Sequence, residues 1–167
     1  MASDPENIFR VRVREHLNTL EPGLVAVLAS LIWHKYPKEV AVLDFEVFSD
    51  GFTSGFPARA FFMDKSNSEF FLRVNGKAQY PSPVDPGLLS VPEVYPQALE
   101  DVLVAESPES DPWHLATSEF IDWFRQCWVK AGGKDFRLMA TIAHHDSSQE
   151  LNLKTGQWQA RGNSFGA

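Results

Sequence analysis

The first thirty-odd residues place apolar side chains at helical spacing, and beyond them the period changes to two. Phe9, Val13, Leu17 and Leu20 fall on one face of a helix, with Asp4 as a capping residue and Pro5 suited to the first helical position. The alternation in "FRVRVRE" is the competing strand pattern. Pro22 opens a second predicted helix that runs to about Tyr36, apolar on most sides and stopped by Pro37. "VAVLDFEVFSDG" then sets Leu43, Phe45 and Val47 on one face of a strand and Asp44 and Glu46 on the other. "FPARAFFMD" predicts a second strand, with Gly51 and Gly55 marking the connection. In "EFFLRVNGKAQYP" the pair Asn75-Gly76 separates two apolar runs, a hairpin signal because both turn residues tolerate positive φ. Together these segments predict a meander of about four antiparallel strands.

Residues 81 to 112 carry seven prolines and read as irregular, with a short helix or strand over "YPQALEDVLVAE". "TSEFIDWFRQCWVKAGG" is the clearest helix in the chain. Thr117 or Ser118 would cap it, Phe120, Ile121, Phe124, Cys127 and Trp128 form its stripe, and Gly132-Gly133 ends it. Glu119 and Asp122 stand early and Arg125 and Lys130 late, as the helix dipole favours. Two strands come next, "FRLMATIA" and "QELNLKTGQW", and the tail from about residue 160 to 167 reads as frayed. The predicted fold is one α+β domain over 1–167, an antiparallel sheet of about five or six strands with three main helices packed against it.

Composition supports a filled core: 13 of the 167 residues are Phe and 5 are Trp. A single cysteine, Cys127, excludes an intrachain disulfide and fits a reducing compartment. The N-terminus has acids early and no apolar run of the signal-peptide kind. The longest apolar run, Leu24 to Trp33, is about half of the ~20 residues that span a bilayer. The expectation is a soluble cytoplasmic protein.

The net charge of −7 disfavours general nucleic-acid binding, which needs a basic surface. Its distribution says more. Between Pro81 and Phe124 stand nine acids (Asp85, Glu93, Glu100, Asp101, Glu106, Glu109, Asp111, Glu119 and Asp122) and no Lys or Arg. The rest of the chain is slightly basic, so one segment holds the whole excess of negative charge. Tyr95, Trp113 and Trp123 lie within it. Aromatic anchors in a field of one sign suit a surface that attracts a basic protein, and an ordinary solvated acidic loop is the plainer account.

Catalytic chemistry has fewer footholds. His144, His145 and Asp146 adjoin, but neighbours on a strand point to opposite faces unless the strand ends or bulges there, and zinc spacings differ from this one. "HDSSQ" reads first as a turn, because Asp and Ser bond their own backbone. His16, His34 and His114 have no recognisable spacing. Asp44 and Glu46 share a strand face as general acid–base pairs can, yet alternation alone predicts them on the solvated side of a sheet. Cys127 sits on an apolar stripe near a helix C-terminus, the wrong place for a nucleophile. There is no Gly-x-Ser-x-Gly elbow and no phosphate-binding loop. No motif calls for a cofactor.

In general character, an acidic α+β domain without a catalytic constellation resembles the bacterial toxin-immunity proteins. The resemblance rests on the acidic 81–124 segment and on the sheet-and-helix layout that closes with "AHHDSSQELNLKTGQW". Such proteins cover or plug the active site of a toxin, often a basic nuclease. The resemblance implies a face made by Tyr95, Glu100, Asp101, Glu106, Glu109, Asp111 and Trp113, whose acids and Trp113 occupy the partner's cationic site as substrate mimics. The expected function is non-enzymatic binding of a basic protein, with a small metal-dependent hydrolase built on His144, His145 and Asp146 as the alternative.

Overall fold

The computed structural model describes residues 4–49, 55–85, 90–91 and 93–162. The expected turn at Gly51, residues 86–89 and 92 of the proline-rich stretch, and residues 163–167 of the tail lie outside the described residues.

One continuous helix, α1 (Pro5–Ile32), replaces the two expected on either side of Pro22. Its Asp4 cap accepts from the Glu6 N–H at 3.1 Å, with Pro5 at the first position. A proline inside a helix removes one hydrogen bond and crowds the preceding turn. Here the buried stripe carries through it in phase: Leu17 and Leu24 are seven residues apart, two helical turns, and Phe9, Val13, Leu28 and Leu31 extend the same face. Burial along the whole length outweighs the local defect.

The strands are β1 (Val42–Val47), β2 (Phe56–Met63), β3 (Leu72–Val74), β4 (Lys77–Gln79), β5 (Ser90–Val91), β6 (Met139–His144), β7 (Gln149–Asn152) and β8 (Trp158–Ala160). Helix α2 (Gln97–Glu106) forms where the sequence allows a short helix or strand, and α3 spans Pro112–Lys130. Six strands make one sheet in the order β5-β2-β1-β6-β7-β8. It is mixed rather than antiparallel, because β1 and β6 run parallel, Phe45 beside Ile142. A parallel neighbour needs a crossover long enough to carry the chain back, and the path from β1 to β6 includes α2 and α3. The Asn75-Gly76 hairpin forms, both residues at positive φ (51° and 76°), but β3 and β4 make a separate two-stranded ribbon instead of extending the meander.

Burial follows the pleat. Leu43, Phe45 and Val47 of β1, with Ala58, Ala60 and Phe62 of β2, face the helices. Phe45 meets Phe124 and Trp128 of α3, with ring centroids 5.0 and 5.7 Å apart. All five residues of the predicted α3 stripe are buried, Cys127 among them, and burial pushes its thiol up to about 12. The helix starts earlier than expected: Asp111, not Thr117 or Ser118, caps it by accepting from the Trp113 and His114 N–H groups. Helices α1 and α3 lie side by side, tied by Arg14, which reaches Glu119 at 3.0 Å and Asp122 at 2.6 Å. Among the described residues no helix is long and apolar enough to cross a membrane.

Candidate functional site

Because β1 and β6 are parallel, their C-terminal ends meet at one edge, where the N-terminal turns of α3 cross above them. Asp111, which caps α3, and Trp113, His114, Thr117 and Ser118 of the helix line a cleft of about 450 Å³ there, facing Ser49 after β1, His144 and Ser147 at the end of β6, and Trp158 of β8. The indole of Trp158 is exposed at this edge. Two histidines with no sequence relationship, His114 and His144, thus line one cavity, and two of the residues expected at the partner-binding face, Asp111 and Trp113, line it too.

The histidine turn is more ordered than a polar hairpin tip requires. Strand β6 ends at His144, and the chain turns immediately after it. The two imidazole rings come to 4.8 Å, and His145 Nε2 stands 3.3 Å from Asp146 Oδ1. Backbone pairing with β1 continues one residue further, since the His145 N–H donates to the Val47 carbonyl at 3.0 Å, and the ring stacks on Phe48 at 4.9 Å. The expected turn is present as well, with the Ser147 N–H donating to the His144 carbonyl.

Arg161 holds this turn. One of its nitrogens, Nη1, donates to the carbonyls of His145 at 2.8 Å and His144 at 3.2 Å. Its other terminal nitrogen binds Glu46 and lies 3.7 Å from Asp44. Residues 160–162 are therefore structured, contrary to the frayed tail expected from about 160: Ala160 ends β8, and the side chain of Arg161 anchors the chain immediately beyond it. Nothing local marks this partner, because a lone arginine in a glycine- and serine-containing tail has no periodicity.

Asp44 and Glu46, expected on a solvated strand face, are instead mostly covered, at 17% and 20% side-chain exposure. Thr141 donates to Asp44 at 3.0 Å, and buried Glu150 adds a third carboxylate nearby. One guanidinium cannot neutralise three carboxylates. Burial, partly offset by Arg161 and Thr141, pushes the Asp44 carboxyl up to about 6. The pair is therefore locked by an internal cation and joined to the histidine turn through it, which is a structural brace rather than an acid–base dyad facing the cleft.

This arrangement has a pH consequence. A carboxyl whose pKa is raised on folding contributes stability that is complete below its unfolded value near 4 and is lost as pH climbs through about 6. An Asp44→Asn variant, permanently neutral, should be more stable than the wild type at pH 7.5 by about 3 kcal/mol. The advantage should vanish near pH 4. Paired thermal melts across that range test it, and a difference that does not change with pH would refute the account.

No family model, curated protein or solved structure matches this chain. The residues themselves carry the rest.

Of the expected partner-binding residues, Tyr95 is fully buried: its ring packs on Phe9 and Phe56, and its hydroxyl donates to Glu100 at 2.7 Å. Trp123 is buried likewise, and Trp113 is half-buried against the core. The aromatics of the acidic segment therefore anchor it to the body of the protein. Asp101, Glu106, Glu109 and Asp111 are exposed, Glu100 partly so, and none of the five makes an ion pair among the described residues. Glu119 and Asp122, by contrast, are both ion-paired with Arg14, and Arg10 stands 4.0 Å from Glu119. Exposed Val102 and Val104 flank buried Leu103 on α2, an apolar contribution that the sequence pattern does not single out.

Proposed function

We propose that this protein is a non-enzymatic binding domain of the inhibitor or immunity type, which docks α2 and the α2–α3 turn on a basic partner protein such as a toxin. The observation that carries the proposal is the set of carboxylates without an ion-pair partner among the described residues, around exposed valines: Asp101, Glu106, Glu109 and Asp111 with Val102 and Val104. Two features of α2 work against stability and make sense on a surface kept for a partner. Glu106 occupies the last turn, where the helix dipole disfavours an anion, and no basic residue stands there. Pro96 at the N-cap makes no side-chain capping bond, and Leu103 is the only residue of α2 that is buried. A cationic partner would relieve the repulsion, steer onto the face rapidly and cover the valines.

The experiment compares the wild type with a triple variant, Asp101→Lys, Glu106→Lys and Glu109→Lys. It leaves Asp111 in place because Asp111 caps α3. The immobilised proteins are exposed to native host extract at low and high salt, and retained proteins are identified by mass spectrometry. The expected result is a basic protein retained by the wild type at low salt, weakened by added salt and absent from the triple variant. With that partner purified, association with the variant should be slower by about tenfold or more at low salt, and its salt dependence should flatten. Equal association rates for the two proteins would remove the acidic face from the function.

A further inference from the structure

We propose that the His144–His145–Asp146 turn binds one divalent transition-metal ion, of which Zn²⁺ is the natural probe, at the edge of the cleft below α3. Each of the three residues places one ligand atom so that all three lie within 4.8 Å of one another. Within the set, His145 Nε2 and Asp146 Oδ1 are 3.3 Å apart. Two ligands each ~2.0–2.1 Å from a tetrahedral Zn²⁺ are separated by about the same distance. The wider separations in the set close only by side-chain rotation, and the Asp146 side chain is exposed.

The donor chemistry selects the class of ion. Two imidazole nitrogens and one carboxylate oxygen suit zinc and its first-row neighbours, whereas calcium takes six to eight oxygens and one carboxylate is too few for it. Three protein ligands leave a coordination position for water or a small ligand, and His144 lines the cleft from which either would arrive.

The backbone beneath the three ligands is already fixed, so little ordering remains to oppose binding. Arg161 holds the carbonyls of His144 and His145, the His145 N–H is bonded to Val47, and its ring is stacked on Phe48. Arg161 is fixed in turn by Glu46 and Asp44. This outer layer is what a metal site needs around its direct ligands. Adjacency of the histidines, which would separate their rings on a strand, is no obstacle once the strand has stopped at His144.

The test is Zn²⁺ titration of the full chain after chelator treatment, followed by calorimetry and by the visible absorption of Co²⁺ as a substitute. The expected result is one ion per chain, a melting temperature that rises with Zn²⁺, and a Co²⁺ spectrum of low coordination number. His144→Ala and His145→Ala should each weaken binding by at least about tenfold, Asp146→Asn should weaken it less, and His34→Ala, whose ring packs on Tyr36, should leave it unchanged. Circular dichroism and melts without metal verify that each variant is folded. The absence of a saturable one-to-one isotherm in the wild type would overturn the proposal. So would binding that survives in a folded His144→Ala/His145→Ala double variant.

Discussion

A Gly133→Ala variant should melt about 6–12 °C below the wild type, from a loss of about 3 kcal/mol. The cause is space, not backbone conformation. A methyl group on Gly133 would lie 2.1 Å from Trp128 Nε1 and 2.3 Å from its Cδ1, well inside van der Waals contact. The indole cannot withdraw: it is fully buried, set edge-on to Phe45 at 5.7 Å and to Phe136 at 5.2 Å. Accommodating the methyl means shifting the turn after α3 or displacing a ring that joins the helix to the sheet. Gly132 is the internal comparison. Its φ of 98° does require glycine, but an added methyl would meet only Trp33, at 3.2 Å, and that ring is 71% exposed and free to move. Gly132→Ala should therefore cost about 1–2 kcal/mol, the usual penalty of that backbone region. Thermal melts and tryptophan fluorescence of the two variants decide the matter, and Gly133→Ala proving no worse than Gly132→Ala would contradict the packing argument.

Removing the cation of the outer sheet face should have a comparable effect. Arg161→Met keeps much of the aliphatic stem but leaves Asp44, Glu46 and Glu150 together without a guanidinium, and it removes the Arg161 donor from the His145 carbonyl and one of two donors, the other being the Ser147 N–H, from the His144 carbonyl. Breaking a covered pair by deleting one partner is far costlier than the net value of the pair, because a desolvated charge remains behind. With Arg161 at 22% exposure, water moderates the penalty, and about 2–4 kcal/mol is expected at neutral pH. Adding Asp44→Asn should restore part of it, a coupling that a double-mutant cycle in urea isolates. An Arg161→Met protein as stable as the wild type, or an Asp44→Asn effect that is strictly additive, would show that the carboxylates are solvated after all. The same variant also loosens the histidine turn, so its Zn²⁺ affinity should fall although no proposed ligand has been changed.

Expectations about the acidic segment divide along an instructive line. The count of charges between Pro81 and Phe124 locates an unusual region, because charge is a property each residue keeps wherever it folds. It cannot distinguish carboxylates that meet a distant arginine from those that meet none. Arg14 lies more than one hundred positions from Glu119, and only the pairing of α1 with α3 reveals that Glu119 and Asp122 already have a cationic partner. Tyr95 and Trp123 illustrate the opposite error. Aromatic rings in an acidic stretch read as surface anchors, whereas their area makes them the part of that stretch most strongly drawn into the core.

Short-range repetition in the chain is enough to place several elements. The stripe that begins with Phe9, Val13 and Leu17, the alternation in β1, the Asn75-Gly76 hairpin and the buried face of α3 are each written within a few turns or pleats, where neighbours in sequence are neighbours in space. The stripe even carried its own correction at Pro22, since its phase does not change across that residue. Only the packing of the elements sets β6 parallel to β1, places His114 and His144 on the lining of one cleft, and brings Arg161 to Asp44 and Glu46. Arg161 and Glu46 stand 115 positions apart in the chain. No local preference encodes such contacts. They arise from competition for a free strand edge and for the burial of faces that each element, taken singly, leaves uncovered.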